Sequence, residues 1–352
     1  MDFRLDDDQV AIQDNLRQFC AARYPLDDLS QRDGGLDRGA WDALIELGVL
    51  SLMPDEERGG LGMGVVGATI AFEQIGEHLV PGPLLWSSLA ALSIDDVASG
   101  TLIAGGTIAG GTIAGGAIAG GAAAAEGPYF VEYGSDVDLI VALRPDGMFR
   151  IDRDDLPPAT ELDALDPLNA VSSFATLPTG ARIGSAEEAF RLGEVATVLC
   201  AAMQVGVAQA ALDVAVAYST EREQFGVPIG SFQALKHMMA DMYVRVGLAR
   251  SATYAAAAAL DDPVPDAVDA WPGPDSIDTD ISAAKLLAGE AALDNAKASV
   301  QVLGGMGFTW EMAPNFLLKR AWVLEHAFGT TSRHALSIAA HLERELEPEA
   351  AS

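Results

Sequence analysis

Apolar residues recur at helical spacing through the first ninety-odd positions. Asp6-Asp7-Asp8 caps and charges a helix start, and Ile12, Leu16 and Phe19 follow at i, i+4, i+7. Trp41, Leu44, Ile45 and Leu47 predict a second helix over about Arg38–Leu47, with Gly48 near its end. After the loop Pro54–Gly62 a third helix is expected over about Val65–Leu79. Pro81-Gly82-Pro83 breaks the chain before a short apolar helix near Leu84–Leu92. The texture then turns to strands at Tyr129–Tyr133, Leu139–Leu143 and Phe149–Ile151, with Asp146-Gly147 as a hairpin signal. Short strands and loops are expected over Pro157–Ile183. From about Ser185 the pattern is helical almost to the end, with long alanine-rich helices near Glu187–Thr220, Phe232–Leu260, Ile281–Leu303 and Asn315–Leu346. The segment Asp261–Asp280 holds four prolines and seven aspartates and reads as an exposed loop. Four such helices pack naturally as an antiparallel bundle. The predicted fold is mainly α with a small β domain: a helical domain over 1–95, a β domain over 96–184 and a helical bundle over 185–352.

One stretch escapes these patterns. Val97–Ala125 carries no charge, and glycine pairs recur every five residues from Gly105-Gly106 to Gly120-Gly121. Paired glycines make a poor helix and no Lys/Arg flank marks an orientation, so a membrane span is not expected. The unit Thr-Ile-Ala-Gly-Gly, at Thr107–Gly111 and Thr112–Gly116, matches no solenoid period. It reads as a repeat expansion in a loop or a degenerate strand region.

Charge narrows the function classes. Acidic residues number 51 against 21 basic ones, a formal net charge of −30. Such a surface repels phosphate backbones and anionic lipid, so nucleic acid is not an expected partner. An anionic small ligand needs a local arginine cluster or helix N-terminus. Cys20 and Cys200 lie far apart in apolar helical patterns, as expected for buried thiols in a reducing cytoplasm rather than a disulfide or metal site. The acidic start Met1–Asp6 has no apolar h-region, so no secretory signal is expected. His237, His326 and His334 read as packing or solvent-facing residues.

Two segments carry specific chemistry. One is Tyr218-Ser-Thr-Glu-Arg222-Glu-Gln224-Phe225-Gly226-Val-Pro228-Ile229-Gly-Ser-Phe232-Gln233. The other is Gln301-Val-Leu-Gly304-Gly305-Met306-Gly307-Phe308-Thr309-Trp310-Glu311. With Glu56–Gly62 and Phe72–Gly76, they resemble the acyl-CoA dehydrogenase family over nearly the whole chain. The resemblance implies an FAD-dependent α,β-dehydrogenation of an acyl-CoA thioester, with an electron-accepting flavoprotein as redox partner. It also implies FAD lying between subunits, with Arg222, Gln224, Phe225, Gln301, Gly304 and Gly305 contributing to its site. A guanidinium gives a diphosphate a forked, charge-assisted hydrogen bond, and glycines let backbone approach the ligand. Taken singly, Arg222 could equally be a solvated helix-end charge, Phe225 a core anchor and Gly304-Gly305 a helix end.

The family's glutamate base is missing from both its customary places. Phe328, before Gly329-Thr330, and Ala196, in the helix leading to Gly206, occupy those positions, and neither takes a proton. Glu194 and Glu325 are the nearest substitutes, with solvated helix carboxylates as the alternative. The family's flavin-holding loop and its later Trp-Ile/Phe-Thr/Ser segment are not found, which implies a shortened β domain. In this the chain resembles the short, base-deficient subunits of actinobacterial heterotetrameric acyl-CoA dehydrogenases that act on steroid side chains. That likeness implies an α2β2 assembly in which a second subunit supplies the base. A self-sufficient homotetramer with a relocated base and a non-enzymatic scaffold are the alternatives.

Overall fold

A computed structural model describes residues 5–108, 112–113, 116–117, 128–261 and 274–346. The first part is helical: α1 (Asp7–Arg23), α2 (Arg38–Glu46), α3 (Gly64–Glu77), α4 (Leu84–Ala91) and the short α5 (Asp95–Ala98). Asp6 does cap α1, in a capping box with Gln9. Gly48 takes φ +84 where the chain leaves α2, a conformation that spares a Cβ penalty only for glycine.

The strands form two principal small sheets. β1 (Ala104–Ile108), β5 (Leu139–Arg144), β6 (Gly147–Asp152) and β9 (Ala181–Gly184) lie in the order β1-β5-β6-β9. Here β1 runs parallel to β5 and the other pairs are antiparallel. β4 (Tyr129–Glu132), β8 (Val171–Phe174) and β7 (Thr160–Leu162) make the second sheet, in that order. The hairpin expected at Asp146-Gly147 is the β5–β6 turn, with Gly147 at φ +152. β1 shows why paired glycines enter a strand. A Cβ on Gly106 would lie 2.0 Å from Trp86 Cε3, so the indole of α4 rests directly on the strand backbone. Ser87 Oγ donates to Ala104 O (2.9 Å) and accepts from Ala104 N (3.1 Å), tying α4 to the same edge. The start of the glycine tract is therefore a sheet edge. The pairs Thr112–Ile113 (β2) and Gly116–Ala117 (β3) also bridge antiparallel. The rest of the repeat lies outside the described residues.

The C-terminal half is built on α6 (Ala186–Glu221), α7 (Gln233–Asp261) and α8 (Pro274–Leu303). A two-residue ladder, β10 (Glu223–Gln224) with β11 (Val227–Pro228), joins the first two. Asn295 Nδ2 on α8 donates to Ala208 O on α6 (3.2 Å) and Met242 O on α7 (3.1 Å), fixing the three helices from a wholly buried position. α6 is long and apolar enough to cross a membrane, but 89% of its most apolar window is buried inside the protein, as in a core helix. The acidic, proline-rich segment is partly helical, because α8 already begins at Pro274, a residue preorganised for a first turn. Its part over 262–273 lies outside the described residues.

The single last helix expected over Asn315–Leu346 is two, α9 (Ala313–His326) and α10 (Thr331–Leu346). Phe328 at φ +55 and Gly329 at φ +100 turn the chain out of α-helical geometry between them. Glu325 Oε1 accepts from Thr331 N (2.9 Å) and Thr331 Oγ1 (2.8 Å), satisfying donors at the new helix start. His334 Nε2 donates to Phe328 O (3.0 Å), and the Ser282 hydroxyl lies 3.1 Å from its Nδ1. His334 is thus a buried clamp on the Phe328 turn, one of the packing roles expected of the histidines.

Candidate functional site

The expected cofactor residues lie at two exposed places. Arg222 ends α6 and opens the β10–β11 turn, with its backbone N–H on Tyr218 O and its carbonyl accepting from Ile229 N. Its guanidinium makes no hydrogen bond or ion pair among the described residues. Gln224 is exposed, and its amide donates only to Glu223 O (2.9 Å). Phe225 is 92% exposed at φ +55, touching Phe232 edge-on at 6.2 Å between ring centroids. A bulky aromatic at positive φ with almost no cover in its own chain is costly.

Gln301, Gly304 and Gly305 end α8 and begin a 3₁₀ turn over Gly304–Phe308. All three are exposed. A Cβ at Gly304 or Gly305 would meet nothing within 4 Å, so intrachain packing sets no size limit there. Gly304 needs its freedom for φ +62. Gly305 has no positive φ, and a Cβ there would meet no other atom of the chain. The two segments form no shared site within one chain among the described contacts. An unpaired guanidinium, an amide and open glycine backbone fit a diphosphate and the polar edge of a nucleotide.

A cavity of this chain lies elsewhere. It measures about 390 Å³ between α4, the two sheets, α6 and α9, with apolar walls including Ile75, Leu85, Trp86, Met203 and Phe328. Phe328 stacks obliquely on Trp86, with centroids 5.7 Å apart. Ala196 is fully buried one turn before Cys200 on α6; Cys200 and Met203 line the cavity and Ala196 does not. Glu194 is not the solvated carboxylate that the alternative required, since it is 5% exposed in the packed face of α6. Glu325 is bound to Thr331 and has its other oxygen buried without a hydrogen-bond partner. Neither carboxylate lines the cavity. Both cysteines are buried free thiols, as expected, and burial pushes Cys200 up to about 11.

Sequence reading missed a polar corner of this cavity. Glu132 on β4 and Arg320 on α9 both line it. Arg320 Nε donates to Asp166 Oδ2, and both residues are almost fully buried. Asp166 Oδ1 also accepts from Leu168 N (3.0 Å), shaping the loop before β8. Glu132 Oε1 accepts from Asn169 Nδ2 (2.7 Å). Burial pushes the Glu132 carboxyl up from its ordinary value, while the Arg320 charge draws it down. β4 reads Tyr-Phe-Val-Glu, with a single polar residue, so no local pattern marked Glu132 in the sequence. No cluster of three or more potential metal ligands occurs among the described residues.

Comparison with known proteins gives a consistent answer. Residues 6–101 match the N-terminal domain of acyl-CoA dehydrogenases and residues 194–343 their C-terminal domain. The acyl-CoA dehydrogenase IpdE2 of Mycobacterium tuberculosis is 34% identical over 290 residues, 82% of each chain. A chain of the ChsE4–ChsE5 complex from the same species superposes with TM-score 0.78 at 25% identity, covering 97% of this chain and 99% of that one. Butyryl-CoA dehydrogenase of Megasphaera elsdenii shares the fold, with TM-score 0.78 at 21% identity, over 98% and 100% of the two chains.

Proposed function

Because the chain belongs to the acyl-CoA dehydrogenase family, we propose that it is the non-catalytic subunit of a heteromeric, FAD-dependent acyl-CoA dehydrogenase. It completes the FAD site of a catalytic partner that carries the glutamate base. The single observation that carries this reading is the asymmetry of the two sites. Arg222, Gln224, Phe225, Gln301, Gly304 and Gly305 stand exposed and unspent by the chain's own packing. The two positions for a base hold Phe328 and Ala196. Bound FAD supplies the hydride-accepting chemistry of the α,β-dehydrogenation. The residues of this chain hold and orient it: Arg222 offers a forked cation to the diphosphate, and Gln301 with Gly304-Gly305 offers an amide and close backbone. Proton abstraction at the α carbon needs a carboxylate aimed at it, and on this reading that group belongs to the partner.

Assembly has further support. Val244 and Leu248 lie one turn apart on α7 and are 55% and 56% exposed, beside Tyr243 at 72%. Phe308 is 67% exposed next to Gly304-Gly305. Exposed apolar groups of this size are what a subunit interface covers. The likeness to a chain of the ChsE4–ChsE5 complex supports a heteromeric assembly. The same reading divides the chain into 1–95, 96–184 and 185–352, and takes an electron-accepting flavoprotein as redox partner. Arg222→Gln in the co-purified complex tests it. Loss of a charge-assisted hydrogen bond should weaken FAD retention at least about tenfold with the chains still associated. Unchanged FAD affinity in that complex overturns the assignment of Arg222.

A further inference from the structure

The cavity beside Phe328 is graded in polarity. Ile75, Leu85 and Trp86 are buried apolar walls, while its ionisable groups stand nearer solvent: Glu132 is partly exposed, and His326, the last residue of α9, is exposed. Glu132 is the one carboxylate among the residues lining it. Asn169 Nδ2, in the same wall, donates to Glu132 Oε1 (2.7 Å) and orients the group. Burial pushes the carboxyl up, so its anion is a stronger base than an ordinary glutamate. The His326 ring makes no hydrogen bond or ion pair among the described residues, so its N–H is available to a ligand. The thiol in this wall is a poor nucleophile, because Cys200 is wholly buried and pushed up to about 11. An oriented carboxylate and an imidazole at the edge of an apolar cavity are equipped for proton transfer.

α,β-Dehydrogenation of an acyl thioester leaves a 2-enoyl thioester, whose β carbon is an electrophile. Proton transfer with one water converts that group to an alcohol. We propose that this cavity hydrates a 2-enoyl-CoA thioester, with Glu132 as catalytic acid–base and His326 as donor to the thioester carbonyl. Glu132 takes a proton from water as the water oxygen bonds to the β carbon. The π pair of the C=C bond moves to the α carbon and the carbonyl oxygen, where the His326 N–H meets the developing charge. Glu132 then returns its proton to the α carbon. The product is a 3-hydroxyacyl thioester. Nothing is oxidised or reduced, so this step needs neither FAD nor the partner's base. The proposal rests on the acyl-thioester class that the family gives, and not on which subunit holds FAD.

The test is loss of the conjugated-thioester ultraviolet absorbance of crotonyl-CoA, without electron acceptor, by the full chain alone and in its co-purified complex. The expected result is saturable turnover to 3-hydroxybutyryl-CoA by the chain alone. Glu132→Gln should lower kcat/KM at least about a hundredfold in both samples. His326→Ala, at an exposed position, should lower kcat at least about tenfold. It gives an independent answer should the glutamine variant fail to fold, which circular dichroism reports. No turnover by the folded parent chain, turnover persisting in folded Glu132→Gln, or an unaltered kcat in His326→Ala overturns the proposal. FAD retention is read separately from flavin absorbance, so a failure here leaves the assignment of Arg222 to its own test.

Discussion

Replacing Asp166 by asparagine should destabilise the chain more than almost any other isosteric change. The substitution keeps shape and an acceptor but removes the carboxylate paired with Arg320 Nε, leaving a guanidinium that is 2% exposed without its hydrogen-bonded counter-charge. Removing one partner of a buried pair costs about 3–5 kcal/mol. An unfolding entropy of about 2.1 cal/mol/K per residue amounts, over 352 residues melting together, to about 0.74 kcal/mol/K. The expected fall in Tm is therefore about 4–7 °C by differential scanning calorimetry. The double variant Asp166→Leu/Arg320→Met removes both charges and should lose less than the single one, because no ion is left buried alone. A Tm within about 1 °C of the parent for Asp166→Asn, or a double variant well below it, would refute the view that this pair joins α9 to the second sheet.

Other outcomes follow from the same physics. Gly76 and Gly206 mark where α3 and α6 touch: a Cβ on Gly206 would lie 2.1 Å from Glu73 O, and one on Gly76 2.1 Å from Met203 O. Gly206→Ala should lower Tm by several degrees or abolish soluble expression, whereas Gly305→Ala, with open space around it, should leave Tm unchanged. The Glu77 carboxyl is pushed up to about 7, chiefly by burial and then by the negative charges of Asp213 and Glu73. The folded chain then binds more protons than the unfolded one between about pH 4.5 and 7, so stability falls as pH rises through that window. Glu77→Gln should flatten this slope in urea-denaturation midpoints and leave the variant the more stable at pH 8; an unaltered slope would contradict it.

The helices were legible because their apolar stripes are long and their ends are capped by ordinary chemistry, as at Asp6 and Ser185. The break at Ala327–Thr330 was not, because Leu324 and Phe328 continue the helical spacing while Gly329, Glu325 and His334 together redirect the backbone. β1 was obscured for a similar reason. Its glycines argue against a strand locally, and only contacts distant in sequence explain them, Trp86 against Gly106 and Val131 with Val137 against Gly105. The exposed residues of the proposed FAD contacts came from two compact motifs. The Glu132–Arg320–Asp166–Asn169 corner draws its members from a strand, a loop and a distant helix, with spacings that carry no local pattern.

The most direct test of the account is the visible absorption spectrum of this chain purified alone, beside the same chain co-purified with a base-bearing acyl-CoA dehydrogenase subunit. The account predicts no flavin bands for the lone chain and about one FAD per pair of chains in the complex. Flavin near full occupancy in the lone chain would contradict it.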